Sequence, residues 1–396
     1  MAAAIGSGAG VVHYHSLGAM IVPLEQTMGW SRSEISSGLL IGSITALFFT
    51  FLAGMVADRI GARRVALTGV TLYAMAIVGI GFSGPTIVSW YVAWGVLAVV
   101  QGMASGVIWS LAIVSRFSRH RGLALAIVLS GSGLCVAVVP PFALLLTETW
   151  GWRAAYFGLG AAIIVVAMPF LIAFFRDAHD LARSNADAAA VVHAADARES
   201  KTGLSLHEVF AGRLVYQSGI SFVLLGIAVS TFLVHLQPML IDAGITAKTA
   251  AFIASVVGPS LIVGRLVTGA LLDRMSTPLI SGTIALLPPV CCLLMLGFDG
   301  SFIVAVLIAI LLGLVTGAEG DLLAFVLAKY FGAKNFGALL GIVGGIFGIG
   351  FGLAPVLAGM TFDTLGSYTL ILKINAIFSL LAATMLYALG NPPEYT

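Results

Sequence analysis

The chain has 396 residues, a length at which two or three soluble domains would be ordinary. Its composition excludes them, because 60% of the residues are hydrophobic and 9% are charged, against roughly 25% charged in a soluble domain. A formal net charge of +2 on so few charged groups also excludes a disordered chain and a nucleic-acid binder.

The apolar residues fall into runs long enough to cross a bilayer core, which takes about 20 residues as a helix. The first six lie near 2–24, 34–56, 65–84, 88–115, 122–146 and 153–175. The first enters without a basic leader, so no cleavable signal peptide is expected, and its abrupt start leaves an upstream beginning open. Residues 176–212 break the pattern with ten charged side chains among Ala and Ser, read as a solvated linker with an amphipathic helix near Leu204 to Phe210. Six more runs follow near 213–240, 248–272, 278–298, 301–328, 336–360 and 367–390. No ten-residue alternating segments of a β-barrel are present. The expected fold is an all-α membrane protein of twelve spans. It is divided into an N-terminal six-helix bundle (1–175), a cytoplasmic linker (176–212) and a C-terminal six-helix bundle (213–396).

Basic residues set the expected orientation. With the N-terminus inside, only Arg32, Arg153, Lys248 and Lys373 fall at or beyond the outer boundary, Arg265 lies within a span, and every other Lys and Arg is cytoplasmic. Both termini are therefore expected on the cytoplasmic side of the cytoplasmic (inner) membrane. Cys135, Cys291 and Cys292 lie inside apolar runs, as small core residues rather than a disulfide framework.

A shift of 215 residues aligns Pro23 with Pro238, Gly29 with Gly244, Gly54 with Gly269, Asp58-Arg59 with Asp273-Arg274, Gly102 with Gly317, Gly122 with Gly337, Pro140 with Pro355 and Gly151 with Gly366. Backbone geometry dictates where Gly and Pro can stand, so the matches read as a structural register. An even number of spans per half makes the repeat parallel, about an axis along the membrane normal, an arrangement in which solute binds near the midplane.

The segment Gly54-Met-Val-Ala-Asp58-Arg59-Ile-Gly61-Ala-Arg63-Arg64 resembles the signature loop of the major facilitator superfamily. Locally, Asp58 is suited to accept backbone N–H groups at a helix N-terminus, while Gly54 and Gly61 suit close helix approach and a tight turn. The resemblance implies that Asp58, with Arg59, latches one conformational state. Asp273 and Arg274 lack the trailing basic cluster and imply a weaker second latch. Gly151-Trp152-Arg153 before the sixth span is a further superfamily habit.

A narrower resemblance runs through Pro23-Leu24-Glu25 and Gly29-Trp30-Ser31-Arg32-Ser33-Glu34-Ile35-Ser36, which are similar to the bacterial branch of the monocarboxylate porter family, with its lactate and oxalate carriers. Arg265-x-x-x-Gly269-x-x-x-Asp273 resembles that family's eighth helix, implying that Arg265 binds a substrate carboxylate. His235-Leu-x-Pro238 resembles a seventh-helix segment whose histidine faces the cavity. The relatives carry a carboxylate one turn before the arginine. Leu261 stands there in this chain, which implies that any coupling acid has moved.

Arg265 itself lies eight residues before Asp273, about 12 Å deep at ~1.5 Å per residue. An arginine there costs about 2.5–3.5 kcal/mol to insert, so it needs an acidic partner, a watered cavity, or both. Its planar fork matches a carboxylate through two N–H···O bonds. The alternative is a fixed ion pair with Glu319 or Asp321, which lie at matching depth on the tenth span. Two positions apart on a helix point about 200° from one another, so one of the acids is expected on the pathway, as a proton-coupling group, and the other inside the bundle. His13, Tyr14 and His15 sit in the middle of the first span, where at least one histidine is expected to face the cavity. The resembled carriers have a basic residue near this level, which implies His15. Gln101, Trp109 and Ser110 on the fourth span are further lining candidates.

No cofactor and no metal are expected, since the histidines lack metal-site spacing and no Walker-type motif occurs. The glycines at Gly344, Gly345, Gly348, Gly350 and Gly352 read as small-residue helix packing. No nucleophile, base and orienter can be assembled, so no enzymatic activity is expected. The sequence reading is a secondary active transporter, functional as a monomer, that moves a small organic anion (a mono- or dicarboxylate) by alternating access. It works by proton coupling or anion exchange, with the lipid bilayer and protons as its other partners. A proton-driven exporter of cationic or amphiphilic compounds and a membrane sensor on a transporter scaffold remain as alternatives.

Overall fold

The computed structural model describes residues 1–106, 108–109, 127–175 and 203–393, apart from the side chain of Asp58. The side chain of Asp58, together with Ser110, Gly122 and linker residues 176–202, therefore lies outside the described residues.

Helices account for nearly all of the described chain, in order α1 (Ala2–Ala9), α2 (Val12–Met28), α3 (Arg32–Ile60), α4 (Ala62–Ile80), α5 (Ile87–Gln101), α6 (Gly131–Ala162) and α7 (Met168–Phe174). After the linker come α8 (Leu206–Ala211), α9 (Arg213–Asp242), α10 (Ala247–Leu272), α11 (Thr277–Ala285), α12 (Leu287–Leu296), α13 (Phe302–Phe331), α14 (Phe336–Leu365) and α15 (Thr369–Tyr387). Ten helical segments among the described residues are long and apolar enough to cross a membrane. The 48-residue segment Ile127–Phe174 holds two of the expected spans, separated where Gly151 turns to φ +84°. The first expected span is broken at Gly10 and Val11 into α1 and α2, which are each too short to qualify. With these two readings the twelve spans are accounted for.

By packing, the chain divides into two compact units, Met1–Met28 with Ile41–Ser200, and Gly29–Leu40 with Lys201–Thr396. Within the first unit, the first span packs closely on its neighbours: a side chain at Gly10 would meet the carbonyl of Ala104, and one at Gly6 the ring of Trp109. Trp109 is fully buried and donates its indole N–H to that Ala104 carbonyl at 3.0 Å. The expected role of Trp109 as a cavity-lining residue is thereby corrected; it is core.

The 215-residue register is visible in the backbone. Gly29 and Gly244 adopt φ +68° and +90°, and Gly151 and Gly366 adopt +84° and +64°, conformations that cost an L-residue roughly 1–2 kcal/mol. Gly102 and Gly317 also play one part in both units. A side chain at Gly102 would strike the backbone of Phe49 on α3, and one at Gly317 the backbone of Leu261 on α10. Gly54, expected to permit close helix approach, faces open space instead, as does its repeat partner Gly269, because the helix contacts are made elsewhere along α3 and α10. The tight turn expected at Gly61 is present, with φ +94° between α3 and α4.

Helix starts follow capping chemistry. At α3, the Ser31 N–H donates to Glu34 Oε2 at 2.9 Å while the Glu34 N–H donates back to Ser31 Oγ at 3.2 Å. At α8, Ser205 and Glu208 form the same reciprocal box. The bonds from the Ser205 hydroxyl and N–H hold the Glu208 carboxyl below its ordinary value of 4.5.

Candidate functional site

The α10–α13 pair brings charge together at mid-membrane depth in the second unit. Gly264, Gly313 and Gly317 let the two backbones approach closely, since a side chain at any of them would strike the opposing helix. One turn beyond Gly317, Asp321 meets Arg265: the guanidinium Nε donates to Asp321 Oδ2 at 2.8 Å. The two side chains are 12% and 37% exposed, so the pair is not sealed in. Nη1 of Arg265 is buried and without a hydrogen-bond partner among the described residues. A charged pair part-open at this depth requires water or a polar solute beside it, since hydrocarbon would be far costlier.

Glu319 points the other way. It is buried inside the unit, and its Oε2 has no partner among the described residues. The expected divergence of the two acids is thus realised, with Asp321 on the side of Arg265 and Glu319 in the interior.

His235, on α9, is wholly buried. Its Nε2 lies 2.9 Å from the carbonyl oxygen of Pro355, which can only accept, so Nε2 donates and Nδ1 accepts from the Tyr368 hydroxyl at 2.9 Å. With Ser36 Oγ also at 3.3 Å from Nε2, His235 offers no free ring nitrogen to a solute in this conformation. The expectation that it faces a cavity is corrected: it supports a second polar cluster.

That cluster centres on Arg32, the first residue of α3, which is only 3% exposed. Its guanidinium donates to both carboxylate oxygens of Asp242, at 2.6 and 3.0 Å, and to the Tyr368 hydroxyl at 2.8 Å. It also sits 3.6 Å from the centre of the Phe362 ring. Asp363 caps the helix below it, accepting the N–H groups of Arg32 and Ser33 at 3.0 Å each. A side chain at Gly359 would meet the backbone of Ser33, so that glycine lets the α3 start dock on α14. From the sequence, Arg32 stood out as part of a motif and as one of four basic residues at the expected outer boundary, with no partner assigned. The available signal was its position, a basic residue that the positive-inside expectation leaves outside the cytoplasmic segments.

In the first unit, His13 is 5% exposed and its Nδ1 lies 2.7 Å from the Tyr73 hydroxyl. That hydroxyl also accepts the His13 backbone N–H at 3.1 Å, so Tyr73 ties down both the ring and the backbone of His13. His15 and Tyr14 are half-buried, with their rings edge-to-face at 5.4 Å. Of these residues His13 is a satisfied core group, whereas His15 is less deeply buried. Arg59, Asp273 and Arg274 are exposed. Asp273 closes α10, and among the described residues neither its side chain nor that of Arg274 has a hydrogen-bonding partner. Among the described residues no cluster of metal-ligating side chains occurs.

Paired positive-φ glycines in a 215-residue register, close-packed second and fourth helices in each repeat, and a mid-depth arginine are the marks of one transporter architecture. Residues 3–324 match the family model of the Major Facilitator Superfamily. The chain belongs to that superfamily. It is a multi-pass membrane transporter rather than an enzyme, and its partners include a small-molecule substrate and membrane lipid. Among curated relatives, monocarboxylate transporter 12 of Xenopus laevis is 26% identical over 320 residues, 74% of this chain and 67% of that protein. The match to the mouse protein of the same name spans 61% of its length. The uncharacterized MFS-type transporter YcxA of Bacillus subtilis (strain 168) is 25% identical over 92% of this chain and 88% of its own. The fold is that of solved transporters: a D-xylose-proton symporter superposes with a TM-score of 0.79 at 14% identity, covering 99% of this chain and 97% of that one. The nucleoside transporter NupG gives 0.77 at 15%, with 98% and 99% covered.

Proposed function

We propose that this superfamily member carries a small organic anion, a mono- or dicarboxylate, across the cytoplasmic membrane by alternating access, with Arg265 as its carboxylate-binding group. The observation that carries the reading is the one-atom grip of Asp321 on Arg265, which leaves the buried Nη1 edge of the fork without a described partner. A carboxylate arriving there completes the guanidinium's bonding and adds a second anion beside Asp321. Two anions at one cation repel, so a proton taken up by Asp321 would relieve the site, and this links anion movement to proton movement. Glu319, facing away from Arg265, has no part in that exchange. The names of the monocarboxylate transporter relatives support the substrate class, and within the first unit the sequence resemblance favours His15 as a substrate-binding residue. We place both termini on the cytoplasmic side, on the positive-inside distribution, and take the monomer as the working unit.

The test is a thermal-shift titration of purified protein with a panel of organic acids, followed by uptake into proteoliposomes at two pH values. Arg265→Lys and Arg265→Ala are both expected to lose the ligand-induced shift while remaining folded. Loss of one charged hydrogen bond, worth about 1.5–3 kcal/mol, weakens binding roughly 10- to 150-fold. Retained affinity in either variant would overturn the reading. Loss of binding only on neutralising Asp321 or Glu319 would favour a cation exporter.

A further inference from the structure

We propose that the first unit holds a phospholipid: one acyl chain lies in a groove between α4 and α5, and its phosphate sits against Arg153. The groove has a volume of about 560 Å³ and is lined almost entirely by apolar side chains. Met75, Val92 and Val96 on its walls are 63%, 61% and 55% exposed. Both walls are helices long and apolar enough to span a bilayer, so these side chains meet hydrocarbon rather than water.

The groove runs from Leu72 and Val100 to Phe82 and Ser89. Ten or so residues at ~1.5 Å each make it about 15 Å long, half of the ~30 Å hydrocarbon core and hence the depth of one leaflet. Its polar end is built for a headgroup. Ser83 and Ser89 line it there, and Arg153 Nη2 donates to the Ser83 carbonyl at 3.1 Å. The Arg153 guanidinium lies 4.3 Å from the centre of the Trp152 ring, which holds it in place, while Nε and Nη1 have no partner among the described residues. A guanidinium with an open edge is matched to phosphate oxygens. Trp150, 71% exposed and just before the Gly151 bend that precedes Arg153, is the kind of residue that settles at headgroup level. An apolar slot of single-leaflet length that ends at an arginine fits a phospholipid. A helix from a second copy would leave the arginine without an anion.

The experiment is native mass spectrometry of the full chain released from nanodiscs of phosphatidylglycerol and phosphatidylethanolamine, with diacylglycerol as the phosphate-free control. Gly79 lies on the groove floor with open space beside it, so Gly79→Leu fills the slot without a clash. Wild type is expected to retain one phospholipid under activation that strips the rest. Gly79→Leu and Arg153→Gln should each lower that occupancy about tenfold, the effect of losing ~1.4 kcal/mol. Unchanged occupancy in both variants, equal retention of diacylglycerol, or a dimer that disappears in Gly79→Leu would each overturn the assignment. Transport is not read, so the outcome is independent of the anion proposal.

Discussion

Asp242→Asn isolates the polar cluster at the start of α3. In the wild type, Asp242 receives two short bonds from an Arg32 side chain that is 4% exposed, while its own is 31% exposed. Removing the charge from one partner of a buried pair typically costs about 3–5 kcal/mol. The low end applies here, because water reaches Asp242 and the Tyr368 hydroxyl and Phe362 ring still engage the guanidinium. About 3 kcal/mol corresponds to a change of roughly 150-fold in the ratio of docked to released α3 start. The amides of Arg32 and Ser33 donate to Asp363, so they exchange with solvent only when this docking opens. Hydrogen exchange in nanodiscs should therefore speed by about two orders of magnitude at these amides, with α10 amides unchanged as the control. Combining Asp242→Asn with Arg32→Met should give non-additive effects, with a coupling of about 1 kcal/mol or more. Wild-type exchange rates in Asp242→Asn, or strict additivity in the cycle, would refute the view that this pair holds α3 in place.

Two glycines of similar sequence context should respond oppositely. Gly317→Ala drives a methyl into the Leu261 backbone and is expected to destabilise by about 1–3 kcal/mol, whereas Gly54→Ala, in open helical space, should stabilise by about 0.5–1 kcal/mol; paired thermal melts decide. The Ser205–Glu208 box should be pH-dependent. A carboxyl lowered by folding lends stability that is fully present above 4.5 and is lost as pH falls through its lower folded value. Exchange protection of the Glu208 amide should then be constant from neutrality down to the ordinary glutamate range and fall below it, and Glu208→Gln should abolish that dependence.

Composition and periodicity were enough for the membrane class, the spans and the repeat, because a bilayer imposes length and apolarity on every crossing segment. The register also foretold particular backbone states: Gly29 with Gly244 and Gly151 with Gly366 pair at positive φ. Helical geometry likewise foretold that Glu319 and Asp321 would diverge, since a two-residue step is 200° in any helix. Which acid met Arg265 was a different kind of question. It depended on the approach of α10 to α13 through Gly264, Gly313 and Gly317, and no local pattern encodes the rotation of one helix about its axis relative to another. The same holds for His235, whose two ring nitrogens are claimed by residues 120 and 133 positions away, and for Arg32, whose carboxylate partner lies 210 positions away. Span, register and repeat are set by each segment's own chemistry in lipid; the pairing of buried charges is set by packing between distant segments, which only the folded chain brings together.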